Sequence, residues 1–384
     1  MNREWETVCV GISRCLFRRE LPLPEGIDWQ EVFSESKKQC IGAIVFYGLA
    51  SCVPEEVKRQ WALYNTTNLA HGVCLLHETQ TLTDLFRENG IPFTVLKGSA
   101  AAVYYPEPLY RTMGDIDLFV LPEDFDRARD CMLARDYAPD KREEDNPRHM
   151  IFFRNGIRFE LHHYFGGPGS EMDRYIVRAF PRVESASVGG KEFRMLPTLE
   201  NGLVILDHIR QELQTGLGIR QILDWAMYVN AALDDDFWDR AFRAAAAELG
   251  LEKLARTMTL MAQRHLGLNP GLRWCADADS AVADRLMDNL IVSGNFGQNN
   301  GSGAAIERTA AAFRRVGFFR HLQHAGEYNW RAYREHRWLK PFAWLYQIGR
   351  YIIQGLRTRR SGSQIREDAA RGADRHRLLK DLGL

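Results

Sequence analysis

The chain has 384 residues, enough for two or three domains, and 45% of them are apolar, which supports a substantial core and excludes wholesale disorder. Fifty Lys and Arg balance fifty Asp and Glu, so there is no bulk electrostatic pull toward long nucleic acid. The seven cysteines form no Cys-x-x-Cys pair, no signal peptide is recognisable, and no run reaches the ~18 apolar residues of a membrane span; this pattern suits reduced thiols in a cytoplasmic protein.

In chain order, residues 1–90 read as helices, with helix-like apolar spacing over 29–40, 41–50 and 54–89 and Pro54 at a helix start. The apolar run Ile91 to Leu96 carries a strand from Phe93, ends in Lys97-Gly98-Ser99, and is followed by a helix expected from Ala100. A Gly-Ser turn opening a helix presents free backbone N–H groups suited to phosphate. Lys97 stands just before this turn, either within reach of a triphosphate or in solvent at a strand end. Arg111 is either a second phosphate contact or a solvated loop residue. The next strand, 115–120, holds Asp115 and Asp117 on one face and Ile116, Leu118 and Val120 on the other. Two carboxylates side by side repel unless a cation lies between them, and a divalent metal is the usual solution.

Pro122-Glu123-Asp124 starts a helix over 125–135, and a hairpin follows. Asn155-Gly156 between two β-rich runs is a strong hairpin signal. A two-residue turn there pairs Arg154 with Ile157, Ile151 with Glu160 and His149 with His162. Ile157, Phe159 and Leu161 then share one face, and Arg158, Glu160 and His162 the other. A mid-strand glutamate is expensive to cover without a cationic partner. Beside the aspartate strand, Glu160 supplies a third metal ligand or a base. His162 faces the metal site, an acceptor, or only its cross-strand partner His149.

A strand over 193–196 closes this section. Helices are then expected over 201–213, 219–232, 235–248 and 251–266. His208 lies on the first of these. Arg220 and Asp224, spaced i and i+4, form the pattern of a helix salt bridge worth a few tenths of a kcal/mol. Residues 304–360 hold twelve Lys or Arg, three acids and eleven aromatics. The helix after Pro341 has three readings: packed against the protein or a partner, lying on anionic lipid, or an RNA-binding arm.

The string Leu-Lys-Gly-Ser at 96–99, Arg-x-Met-Gly-Asp-Ile-Asp-Leu at 111–118 and Phe-Glu-Leu-His at 159–162 resembles a bacterial family of uncharacterised nucleotidyltransferases within the DNA polymerase β-type superfamily. Gly218 to Trp225 and Gly294-Asn295-Phe296-Gly297 are also similar, so the resemblance covers roughly 90–300. It implies an α+β fold: a small mixed β-sheet nucleotidyltransferase palm flanked by N-terminal and C-terminal helical regions. It divides the chain into a helical region (1–90), a palm (91–196), a substrate-side helical domain (197–300), a basic aromatic-rich helical region (301–360) and a flexible tail (361–384).

The resemblance implies that Gly98 and Ser99 hold the nucleotide phosphates; Lys97 and Arg111 are nucleotide-binding candidates from their own positions. Asp115, Asp117 and Glu160 are implied to bind Mg²⁺ or Mn²⁺. Fifteen residues, 100–114, separate Ser99 from Asp115, more than is usual for the superfamily, and leave an extra loop around Pro106 and Pro108. The implied reaction moves a nucleoside monophosphate from an NTP to a hydroxyl of a small molecule, sugar or protein. Two metal ions about 3.5–4 Å apart clamp the entering and leaving oxygens in such chemistry. His162, His208, Arg220 and Asp224 are substrate-side candidates, and a long nucleic acid acceptor is disfavoured by the neutral balance. The competing reading is a non-catalytic nucleotide sensor or assembly protein of the same fold. The basic helix adds an expected peripheral contact with anionic membrane.

Overall fold

The computed structural model describes residues 1–140, 146–213, 216–293, 318–330, 332–333, 336–358 and 373–384. Four helices open the chain: α1 (Arg3–Phe17), α2 (Trp29–Lys38), α3 (Gly42–Leu49) and α4 (Glu55–Glu88). The Asn2 carboxamide oxygen accepts from the Trp5 N–H, and the Asp28 carboxylate accepts from Gln30 and Glu31, so both first turns are capped by side chains. α1 and α3 cross so closely that a Cβ on Gly48 would lie 2.0 Å from the Gly11 carbonyl oxygen; only hydrogen fits there.

Seven strands follow: β1 (Thr94–Leu96), β2 (Asp115–Phe119), β3 (Ala138–Pro139), β4 (His149–Arg154), β5 (Ile157–His162), β6 (Glu184–Val188) and β7 (Lys191–Met195). They form one mixed sheet in the order β3-β4-β5-β2-β1-β7-β6. The β4–β5 hairpin has the register expected from Asn155-Gly156, with both turn residues at positive φ and His149 opposite His162. β2 runs antiparallel to β1 and parallel to β5. Between the strands lie α5 (Gly98–Ala102), α6 (Phe125–Leu133) and α7 (Glu171–Ala179). α5 begins at Gly98, two residues before the expected start. After the sheet come α8 (Thr198–Glu212), α9 (Ile219–Ala232) and the helical segments Arg243–Glu248, Glu252–Met261 and Ser280–Ser293.

The apolar residues gather into two cores that do not follow chain order. One combines α1 to α3 and Val57 and Trp61 of α4 with α8, α9 and the later helices. The other joins Leu75 to Phe86 of α4 to the inner face of the sheet through Ile116, Leu118, Phe152, Phe159 and Leu161. α4 therefore belongs to both. At 34 residues it is about 51 Å long.

One expectation about the chain's end needs correction. Within the segment 361–384, read from sequence as a flexible tail, residues 373–381 are helical. Leu378, Leu379 and Leu382 are buried in the first core, and the Arg375 guanidinium donates to the Leu213 carbonyl at 2.9 and 2.6 Å. Spacing of i, i+1 and i+4 gives these leucines a shared apolar face, which outweighs the polar composition around them. Residues 361–372 and the motif Gly294 to Gly297 lie outside the described residues.

Among the described residues, no helix is long and apolar enough to cross a membrane. The helices Phe318–Asn329 and Ala343–Thr358 pack against each other. Phe319, Trp338, Phe342, Leu345 and Ile353 remain exposed. The side chains of Ile352 and Leu356 lie outside the described residues.

Candidate active site

The site is set by strand register. β1 places Leu96 opposite Asp117, so Lys97 follows directly beside the aspartate strand. On the other side, β5 sets Glu160 against Asp117 and Arg158 against Asp115. Alternation then brings Asp115, Asp117, Arg158, Glu160 and His162 onto one face of neighbouring strands, while Ile116, Leu118, Phe159 and Leu161 enter the second core.

Asp117 is 3% exposed and receives two donors on one oxygen: Lys97 Nζ at 2.8 Å and His162 Nε2 at 2.9 Å from Oδ1. Burial disfavours its charge, but Lys97 and His162 outweigh burial and hold its carboxyl far below the usual range. The same His162 Nε2 lies 3.2 Å from Glu160 Oε2. Arg158 reaches Glu160 Oε1 at 2.6 Å and Asp115 Oδ2 at 3.6 Å. Burial pushes Glu160 up, yet the His162 hydrogen bond and the Lys97 charge leave it below its ordinary value, against the opposing push of Asp117. Asp115 behaves differently. Its packed surroundings, then Asp117, then Glu160 push its carboxyl up to about 6, and Lys97 and Arg158 offset only part of this. Lys97 and His162 are both raised: burial favours their neutral forms, and the carboxylates beside them overcome it.

Three acids and three basic side chains thus interlock on one face, with Asp115 incompletely neutralised. Only Asp115 keeps a raised proton affinity; Asp117 and Glu160 are neutralised by Lys97, Arg158 and His162.

Lys97 carries a second peculiarity. Its φ is 48° and ψ −130°, a conformation that costs of order 1–3 kcal/mol for a residue with a Cβ. The strain in the Leu96-Lys97-Gly98-Ser99 turn thus sits on the lysine. A Cβ on Gly98 would meet only the Asp115 carbonyl oxygen at 3.5 Å, an ordinary contact. Ser99 is buried, with its Oγ 3.8 Å from Met113 Sδ.

A model of an uncharacterised nucleotidyltransferase family matches residues 25–267, well over half of the chain. The protein belongs to this nucleotidyltransferase family. Searches of curated proteins and of solved structures returned no match. The family match starts earlier than the motif resemblance and stops before its end. It takes in α2 to α4 together with the sheet, α8 and α9, so the family unit spans parts of both cores.

In this nucleotidyltransferase, the remaining candidates divide into those at the carboxylate face and those at the junction of the two cores. Arg111, 4% exposed, is bound through Nε and a terminal nitrogen to both oxygens of Asp224 at 2.6 and 2.7 Å, and the Tyr105 hydroxyl donates to the same carboxylate at 2.8 Å. This pair ties the loop before β2 to α9. Neither the cross-chain pairing of Arg111 with Asp224 nor the part of Tyr105 is visible in sequence, because 113 residues separate the partners. Arg220 instead donates to the Thr112 carbonyl at 3.0 Å, one residue from Arg111. His208 lies on α8 at 3.6 Å from Glu212, one helical turn on. Arg158 was placed on the acid face by alternation but given no role there; the signal was its i, i+2 spacing from Glu160. His149, half-buried, stands across from His162.

Proposed function

We propose that the protein transfers a nucleoside monophosphate from an NTP to a hydroxyl of a small molecule, a sugar or a protein. The observation that carries this is the register that sets Glu160 beside Asp117 and Asp117 beside the end of β1, in a chain of the nucleotidyltransferase family. The acceptor oxygen bonds to the α-phosphorus, the bond from that phosphorus to the bridging oxygen breaks, and pyrophosphate leaves. Asp115, Asp117 and Glu160 are the residues that hold Mg²⁺ or Mn²⁺, which supplies charge neutralisation at the entering and leaving oxygens. The Gly98-Ser99 turn and Lys97 receive the phosphates. Lys97, which pairs with Asp117 at 2.8 Å, would be the cation beside the turn that could meet a phosphate. Glu160, beside Asp117 on the neighbouring strand, would complete the acceptor-side ligand set and take the hydroxyl proton. The Arg111–Asp224 pair holds the loop that feeds β2 and is a positioning element.

The reading is tested by calorimetric titration with NTP in Mg²⁺, followed by acceptor screening for released pyrophosphate. Tight Mg²⁺-dependent binding with no turnover on any acceptor class indicates a nucleotide sensor. Absence of nucleotide binding removes both readings. Because a metal ligand must be deprotonated, Mg²⁺ affinity should be flat above the Asp115 value of about 6 and fall by about tenfold per pH unit below it. A flat profile down to pH 4.5 would show that Asp115 is not a ligand.

Gly98→Val should fold, since its first side-chain atom meets only an ordinary contact, and should weaken ATP and GTP binding by about tenfold or more by filling the turn. Unchanged affinity would place the phosphates elsewhere.

The exposed Phe319, Trp338, Phe342, Leu345 and Ile353 lie in a stretch with nine more basic than acidic residues, which supports docking on an anionic bilayer. Full-length protein should co-sediment with phosphatidylserine vesicles at low salt and be released at high salt or by Trp338→Ala with Phe342→Ala. No binding at low salt would end that reading.

A further inference from the structure

We propose a second cation site on the sheet face, in which His149, His162 and Glu160 hold a transition-metal ion of the Zn²⁺ or Co²⁺ class. It goes beyond nucleotide chemistry and would stand even if no NTP bound.

The β4–β5 register puts the two histidines opposite each other, with ring centroids 4.8 Å apart and planes tilted by 57°. Glu160 lies two residues before His162 on the same face. One donor atom from each of the three residues lies within 4.8 Å of the other two. Ligand bonds of about 2.0–2.2 Å in tetrahedral geometry hold donors roughly 3.3–3.6 Å apart, so the side chains must close up, and Glu160 Oε2, now 3.2 Å from His162 Nε2, must turn toward Nδ1. Side-chain rotation supplies that.

The hydrogen bonds point the same way. His162 Nε2 is engaged by Asp117 Oδ1 at 2.9 Å, leaving Nδ1 as its free nitrogen. That Nδ1 is buried without a hydrogen-bond partner. His149 Nε2 accepts from the Asn146 carboxamide N–H at 3.3 Å, which puts the proton of the neutral ring on Nδ1, itself buried without a partner; a metal on this ring must displace either that proton or the Asn146 contact. Two orphaned imidazole nitrogens side by side are unfavourable in a folded protein unless something takes them up. A carboxylate gripping the far nitrogen of a histidine is the arrangement that fixes the tautomer for metal binding. Asp117 stands in that relation to His162.

The donor chemistry selects the ion. Two imidazoles and one carboxylate suit borderline metals and are poor partners for Mg²⁺ or Ca²⁺, which favour oxygen. Asp117 and Glu160 both adjoin the proposed Mg²⁺ position, so the transition-metal ion would sit alongside the nucleotide site and stiffen the Asp117–His162 contact.

The test is Co²⁺ titration of chelator-treated, full-length protein without nucleotide, read by visible absorption and equilibrium dialysis. The expected result is one ion per chain with ligand-field bands. His149→Gln and His162→Gln, each checked for folding by circular dichroism, should weaken binding by more than the about 10–100-fold typical of losing an outer-shell partner. Mg²⁺–NTP affinity, measured separately, reports on the nucleotide reading alone. The proposal is overturned if wild type takes up no Co²⁺, if folded His149→Gln binds it as tightly as wild type, or if binding is lost in Asp115→Asn but kept in His149→Gln.

Discussion

Asp224→Ala is expected to destabilise the protein by about 3–5 kcal/mol, read as a lower urea midpoint with an unchanged slope. The carboxylate is buried and meets Arg111 through both oxygens, and Arg111 has 4% of its surface in water. Removing one partner strands a buried guanidinium without its paired carboxylate, and it leaves the Tyr105 hydroxyl without its acceptor. The companion variant, Arg111→Met with Asp224→Leu, removes both charges. It should recover most of the loss, since well-packed apolar replacements of a buried pair are often neutral. A single-variant effect below about 1 kcal/mol would mean that water reaches the pair and that it does not fasten the β2 loop to α9.

Asp115→Asn with Asp117→Asn should remove Mg²⁺-dependent nucleotide binding, a loss of about 100-fold or more, equivalent to about 2.7 kcal/mol or more. The measurement is calorimetric titration with NTP in Mg²⁺ and again in chelator. Wild type should show a large difference between the two conditions and the double variant none. Asn retains an acceptor for Lys97 and His162 but removes their buried counter-charge, so a lower urea midpoint is expected, and binding is compared on protein whose circular dichroism shows it folded. The variant keeps Lys97, Arg158 and His162, so its face becomes more positive. Residual metal-independent binding of triphosphate is therefore compatible with the proposal. Retention of the Mg²⁺ requirement is not.

The parts of the site that share one sheet were legible in the sequence because strand geometry is periodic. Asp115 and Asp117, then Arg158, Glu160 and His162, sort by faces with no knowledge of the rest of the fold, and Asn155-Gly156 fixes the hairpin register. The neighbouring of β2 and β5 was anticipated only through the family resemblance, since 35 or more residues intervene. β6 was missed because Glu184 to Val188 is mostly exposed and carries little apolar signal. The strain at Lys97 was missed because sequence assigns unusual turns to glycine, and here the residue before the glycine takes the positive φ. Arg220 and Asp224 looked like a local pair because sequence sees only spacing. The fold gives Asp224 to Arg111 and turns Arg220 toward Thr112. The polar composition of 361–384 concealed three leucines whose partners lie more than a hundred residues away.

The interleaving of the two cores has a consequence for synthesis. α1 to α3 are made well before their partners: α1 packs against Ala262–Leu266, and Gln39 at the end of α2 bonds to Ile219 and Leu290. At about 5–20 residues per second, the interval between Trp61 and Leu203 is on the order of ten seconds. The sheet and the second half of α4 lie within one continuous stretch and can close their core during that wait. The sheet with the second half of α4 is thus the natural first body to form. The helices before it keep an unfinished apolar surface until those later partners are made, the period in which chaperone protection would matter most.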